Sequence, residues 1–228
     1  MSYAEDLRKA WNMLWSPSRE SKVNMDVGKA LKFYYKIGVL GMIVYFVIGA
    51  ALIAAGITAS SYVPLMQGSA FSAYSSYVSF GLLVFSGLVY FLVLIPISIA
   101  INSLLYQLVG RYLLRSWAGD YRKTFTAVTF SYMPLILFFW LMLVPFARIL
   151  IAIFAFWQII VLIVALAEQQ KTSRTNSFVA ILATVILSMI FAMLVVAFLV
   201  PSLLPFGLNS TAQAPIVPYG GAQITRVP

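Results

Sequence analysis

The chain contains no cysteine and no histidine. Without cysteine there are no disulfides, no thiolate metal ligands and no thiol nucleophile. Without histidine it lacks the commonest metal ligand and the usual near-neutral acid–base group. Acidic residues number only six, scattered over loops and termini. No carboxylate pair or metal-ligand cluster can be assembled from them, so neither a metal nor a cofactor is expected, and a non-enzyme is. Charge is scarce altogether: 9% of the 228 residues are charged and 62% are apolar, where a soluble domain carries about 25% charged residues. A soluble core of this length cannot hide so much apolar surface. The solvent for most of it is therefore lipid, and the sequence predicts an all-α integral membrane protein.

A membrane span needs about 20 apolar residues. Residues 37–59 supply one span, behind a polar and charged segment, 1–36, which does not read as a signal peptide. Residues 80–110 supply a second, long enough to tilt or to kink at Pro96. Residues 125–167 are about twice the needed length. They predict a hairpin of two spans, 125–146 and 149–167, turning near Pro145 and Arg148, because an arginine costs about 2.5–3.5 kcal/mol at the bilayer centre. The fifth span is 177–200, followed by Pro201 and Pro205.

The connecting segments set the expected orientation. Of 15 basic residues, seven lie in residues 1–36, four in the loop Arg111–Lys123 (Arg111, Arg115, Arg122 and Lys123), and two in Glu168–Asn176 (Lys171 and Arg174). With five spans these segments share one side, leaving Arg148 and Arg226 on the other. Positive-inside asymmetry predicts the N-terminus inside and the C-terminus outside. The net charge of +9 is explained by this asymmetry and by anionic lipid, not by nucleic acid.

The N-terminal segment has its own pattern. Ser2 and Glu5 fit a capping box. Tyr3, Leu7, Ala10, Trp11, Leu14 and Trp15 recur at helical spacing, with Glu5, Asp6, Arg8, Lys9 and Asn12 opposite, and Pro17 ends the helix. The pattern predicts an amphipathic interfacial helix; docking on a partner or on the protein's own loops is the alternative. A further helix start at Asn24 or Asp26 runs into the first span and places Lys29, Lys32 and Lys36 on one side. Two readings of these lysines stay open, anionic headgroup contact and simple topology determination. Tyr34 and Tyr35 fall where an aromatic belt is expected.

No ionisable group lies at a span centre. A proton relay is thereby excluded, and so is intramembrane proteolysis, which needs paired Asp or typically His. The polar residues within spans are Asn102, Ser103, Gln107, Thr126, Thr129, Ser131, Gln158, Thr184 and Ser188. They are few and dispersed, which favours interhelical hydrogen bonds over a pore, with Asn102 and Gln107 near enough to the span end for water to reach. Gly49, Ala50, Ala51, Ala54, Ala55, Gly56 and Ala59 in the first span, and Gly81, Ser86 and Gly87 in the second, predict close helix packing, with homo-oligomer formation left open. Pro96 and Pro134 each free a carbonyl that neighbours must satisfy, with Ser131 a candidate beside Pro134. The tail, 201–228, is rich in Pro, Gly, Ser and Thr and is expected to be extended. Its Asn209-Ser210-Thr211 is a glycosylation sequon whose use depends on the host.

Ala118-Gly119-Asp120, Thr124-Phe125-Thr126-Ala127-Val128 and Phe130-Ser131-Tyr132-Met133-Pro134-Leu135, then Trp157, then Ser177-Phe178-Val179-Ala180, follow in an order that resembles the Yip domain family of Ypt/Rab-interacting membrane proteins. Trp11, Leu14-Trp15-Ser16-Pro17 is similar to the "helix, then Pro" entry of microbial members. The resemblance covers residues 8–200 and marks Gly119, Pro134 and Trp157. It implies a five-span fold with the N-terminus inside, and the trafficking or membrane-shaping roles attributed to the family. The acidic-aromatic Asp-Leu-Tyr-Gly-Pro motif of eukaryotic members is absent, which argues against GTPase binding.

Three functions are thus expected in descending order: a non-catalytic scaffold or membrane organiser with its basic face on anionic lipid; an accessory subunit of a larger membrane complex; and a small-solute transporter or channel. The membrane is the plasma membrane if the chain is prokaryotic and an endomembrane if eukaryotic.

Overall fold

The computed structural model describes residues 3–23, 25–55, 75–144 and 147–203. Ser2, Gly56, Ala59, most of the 60–79 loop, Pro145 and the tail from residue 204, with Pro205, Asn209 and Arg226, lie outside them. Among the described residues there are helices and no strands. Five helices are long and apolar enough to cross a membrane: Val27–Ala54, Phe80–Leu113, Tyr121–Leu143, Ile149–Gln170 and Arg174–Ala197. The chain is therefore an all-α, multi-pass membrane protein by length and composition.

Helix α1 is Tyr3–Trp15 and α2 is the single turn Pro17–Glu20, with Pro17 in the first-turn position where its missing N–H costs nothing. Helix α3 runs over Val27–Ala54 behind Asp26. The second crossing is one continuous helical rod: α4, Ser75–Val89; a widened π turn, Tyr90–Leu94; α5, Ile95–Gln107; and a second π turn, Leu108–Leu113. Asp120 then caps α6, Tyr121–Ser131, accepting from the Lys123 N–H at 3.3 Å. Helix α7, Met133–Phe138, opens at Pro134 and tightens into a 3-10 turn, Phe139–Leu143. Helix α8 is Arg148–Gln170 and α9 is Arg174–Leu203. Lys171, with φ of 51°, ends α8 in the left-handed conformation, and two amides beyond the helix close on the Ala167 carbonyl.

The helices begin and end further out than the apolar runs. The first crossing starts at Val27, not 37, and the fourth reaches Gln170, not 167. The reason is physical: backbone hydrogen bonding continues through Lys29, Lys32 and Lys36 or through Glu168, Gln169 and Gln170 without needing apolar side chains. The 125–167 stretch does fold as two antiparallel pieces, with Phe138 and Phe154 stacked at 4.1 Å between centroids.

Two units divide the chain, Met1–Thr184 and Val185–Pro228. The core of the first gathers Phe33, Tyr34 and Ile37 of α3, Ile99 of α5, Phe130 of α6, Met133 and Ile136 of α7, and Val161 and Leu166 of α8. Of the small residues singled out, Gly49 and Gly87 allow close approach, whereas Ala50, Ala51, Ala54, Ala55, Gly81 and Ser86 are exposed. A Cβ on Gly41 would lie 2.5 Å from the Ile136 carbonyl oxygen, and one on Gly49 would lie 2.4 Å from Leu83 Cδ2. In the second unit every side chain described, Val185–Ala197, is exposed, as suits a helix whose solvent is lipid.

Candidate functional site

The three segments that carry most of the basic residues converge at one end of the first unit. Gln169 Nε2 of α8 donates to the carbonyls of Ser21 and Val23, the latter at 3.0 Å. Thr126 Oγ1 of α6 donates to the Met25 carbonyl at 3.0 Å. An exposed ion pair joins Arg122 to Asp26 at 3.7 Å.

Beneath this face the Arg111–Lys123 loop is locked by two buried amides. Gln107 Nε2 donates to the Gly119 carbonyl at 3.0 Å, and the Gly119 N–H donates to Gln170 Oε1 at 2.8 Å. Gln170 Nε2 donates to Thr124 Oγ1 at 2.7 Å and to Gln107 Oε1 at 3.3 Å, while the Thr124 hydroxyl donates to Gln107 Oε1. The ring closes on itself and leaves no amide group unused, as buried polar groups require. Gly119 has no room for a side chain: a Cβ there would sit 2.3 Å from Gln170 Oε1. Gly110 likewise makes space for Trp117, whose ring would lie 2.2 Å from an added Cβ.

Helix α1 packs on α3 and α7 of this unit. Its buried face is Asp6, Lys9, Ala10, Met13 and Leu14, which shares Ala10 and Leu14 with the apolar stripe read in the sequence but is rotated from it toward the polar side. Asp6 and Lys9 belong to the polar half of the pattern, yet both are buried because distant groups receive them. Lys36 of α3 donates to Asp6 Oδ2. The Lys9 ammonium lies over the rings of Phe130, at 5.0 Å, and Phe33, at 5.9 Å. Burial pushes the Lys9 pKa below its ordinary value, partly opposed by the charges of Glu20 and Asp6. Trp157 Nε1 of α8 donates to the Leu14 carbonyl at 3.0 Å, an orphan acceptor at the end of α1. Trp11 and Trp15 point outward, 50% and 70% exposed.

Pro96 in the second crossing follows the π turn Tyr90–Leu94. Pro96 lacks the N–H that would reach the Leu92 carbonyl in an α-helix or that of Phe91 in a π turn. Both carbonyls are taken by α3: Tyr34 Oη donates to Phe91 at 2.6 Å and Tyr35 Oη to Leu92 at 3.4 Å. Tyr34 is thus fully buried and is no part of an exposed aromatic belt. At Pro134, the Ser131 hydroxyl donates to the Val128 carbonyl at 2.7 Å, not to the Phe130 carbonyl that the proline frees; the Tyr132 N–H also donates to Val128, at 3.3 Å.

Most intramembrane polar groups are spent in this way. Asn102 Nδ2 donates to Tyr132 Oη at 3.0 Å. Ser103, Thr129 and Thr184 donate to carbonyls one turn back on their own helices. Asn102, Gln107 and Gln158 are not brought together: the first two have separate protein partners, and Gln158 shares none of these bonds. Gln107 is buried, so protein groups, not water, satisfy it.

Of the basic residues singled out, Lys29, Lys32, Arg111, Arg115 and Arg122 are exposed, whereas Lys36 is engaged with Asp6 and Lys123 is half-buried. Gln169 and Gln170 carry the site's bonds but have no signal in the sequence beyond being polar at a span end, and Thr124 is marked only as part of the motif that follows Gly119. Among the described residues there is no group of His, Cys, Asp or Glu suited to a metal.

Fold and site together define a polytopic helical membrane protein with a polar lock at its basic end and an N-terminal helix docked along the bundle. No protein-family model, curated protein or solved structure matches the chain.

Proposed function

We propose that the chain is a non-catalytic membrane organiser of Yip type, seated with its N-terminus and basic end in the cytoplasm, α1 at the lipid interface, and the C-terminus outside. The observation that carries the reading is α1 itself. It is held to the bundle by the Asp6–Lys36 pair, the Lys9 ammonium and Trp157, and it keeps two tryptophans turned outward. A helix fixed in this way is a wedge whose depth in one leaflet is set by the bundle and not by its own affinity. Convergence of the basic segments supports the inward orientation, and anionic lipid is the partner that this face suits.

The test is reconstitution of the full chain into vesicles, with vesicle curvature read by electron microscopy. The wild type is expected to produce smaller vesicles or tubules, and Trp11→Ser with Trp15→Ser to reduce the effect. Unaltered vesicles at high protein density would overturn the reading. A cysteine at Ser116 should label only from inside; labelling from outside would refute the orientation.

A second reading, an accessory subunit of a larger complex, is favoured by α9, whose described side chains from Val185 to Ala197 are all exposed. Recovery of a stoichiometric complex from native membranes would favour it.

A further inference from the structure

A cleft runs along α1 on its tryptophan side. One part, about 530 Å³, is lined by Leu7, Arg8 and Trp11 of α1 with Leu40 of α3 and Leu137 and Phe138 of α7. The next, about 240 Å³, is lined by Leu14 and Trp15 with Phe138, Ile153, Phe154 and Trp157. Phe138 borders both, so the two adjoin. Together they follow α1 from Ala4 to Trp15, about 16 Å at 1.5 Å per residue. The lining is apolar with a single charged side chain, Arg8, about 6 Å along α1 from Ala4. Arg8 is exposed and takes no part in the two ion pairs among the described residues, Lys36–Asp6 and Arg122–Asp26.

A long apolar trough with one cation in its half nearer Ala4, outside the ion pairs of the described residues, fits a ligand with a long apolar tail and an anionic head. We infer that the cleft beneath α1 holds an acyl chain of an anionic phospholipid, with its phosphate on the Arg8 guanidinium. Bilayer lipid is the source because the lining includes Ile153, one of the exposed apolar side chains of α8, so a chain can enter sideways without leaving the membrane. Arginine suits the head because its fork of donors matches phosphate geometry. Trp11 and Trp15 flank the trough as amphipathic rings do at a membrane interface. A lipid held there fills the gap under α1, making α1 and its lipid one unit of the wedge. The inference rests on the interfacial placement of α1 proposed above.

The experiment is tryptophan quenching in vesicles of the full chain, using phosphatidylcholine with a minor fraction of brominated-chain lipid. That lipid is either phosphatidylglycerol or phosphatidylcholine. The signal of Trp11 and Trp15 is the difference between the wild type and the Trp11→Phe, Trp15→Phe variant. Quenching by the brominated anionic lipid is expected to exceed that by the zwitterionic lipid about fivefold, the ratio that corresponds to about 1 kcal/mol for one basic contact. Arg8→Gln should remove the preference and Arg8→Lys should keep part of it. Equal quenching by both lipids, or a preference that survives Arg8→Gln, would overturn the lipid site while leaving α1 interfacial. Absence of quenching by either lipid would overturn the interfacial placement and the site with it.

Discussion

The ammonium of Lys9 stands 5.0 Å from the ring centroid of Phe130, buried to 7% exposure and without a hydrogen-bond partner among the described residues. Burial lowers its pKa from the ordinary lysine value. The unfolded or undocked segment therefore binds more protons than the docked one between the lowered and the ordinary pKa. Docking of α1 is expected to strengthen as pH rises through that window and to be weakest below it. Replacing a buried charge by an apolar side chain of similar size gains about 1–4 kcal/mol. Two rings already compensate this one by about 0.5–2 kcal/mol, so Lys9→Met should tighten docking by about 1 kcal/mol, the low end of that range. It should also flatten the pH dependence. Hydrogen exchange of residues 3–15 across an alkaline titration measures both, and an unchanged slope in Lys9→Met would refute the assignment.

Asp6 and Lys36 form the second tie. Asp6→Asn leaves the half-buried Lys36 without its counter-charge, and a loss of about 1–2 kcal/mol in docking is expected, below the fully buried case because Lys36 is partly solvated. The double variant Asp6→Asn with Lys36→Met should recover much of it, since the unpaired charge is gone. Protease sensitivity of residues 16–23 is the readout. Additive losses would show that the two side chains do not act on each other.

The lock at Gly119 gives a steric prediction. Gly119→Ala forces its Cβ onto Gln170 Oε1 and opens the amide ring. Two or more buried hydrogen bonds are lost, so thermal unfolding should shift by about 2–4 kcal/mol. In a Gln170→Ala background the obstructing amide is absent and Gly119→Ala should cost under about 1 kcal/mol, a strongly non-additive pair.

The tyrosine clamp on the π turn can be separated from the proline that follows it. Tyr34→Phe leaves the Phe91 carbonyl without its donor and is expected to cost about 1–2 kcal/mol. Pro96→Ala returns a backbone N–H to the same pair of carbonyls. Tyr34→Phe should therefore cost less in that background, as read by unfolding in the same micelle. An equal cost in both backgrounds would show that Tyr34 matters for packing alone.

Local signals in the sequence reach as far as the spans and no further. The five crossings follow from apolar run length, Asp26 begins a helix and Pro17 ends one where short-range backbone chemistry puts them, while the cap at Asp120 emerges from the structure. The face that α1 buries is different in kind. Asp6 and Lys9 read as solvated because their partners, Lys36, Phe33 and Phe130, are far away in the chain. Gln107, Thr124 and Gln170 are unremarkable polar residues until three helix ends meet. Gly119 stood out through its motif, but the reason no side chain fits there is Gln170, 51 positions later. The π turn at Tyr90–Leu94 is equally silent, because Pro96 announces only a kink and the tyrosines that stabilise it belong to another helix.

The ties that seat the N-terminal segment are long in sequence. Leu14 waits for Trp157, 143 residues on, and Ser21 for Gln169, 148 residues on. During biosynthesis α1 therefore leaves the ribosome long before Trp157 and Gln169 do, and its seat is incomplete until the fourth crossing has been made and inserted. Through most of translation it is an unanchored helix carrying two tryptophans. A chain truncated before residue 157 should insert its early spans and leave its first residues without a home.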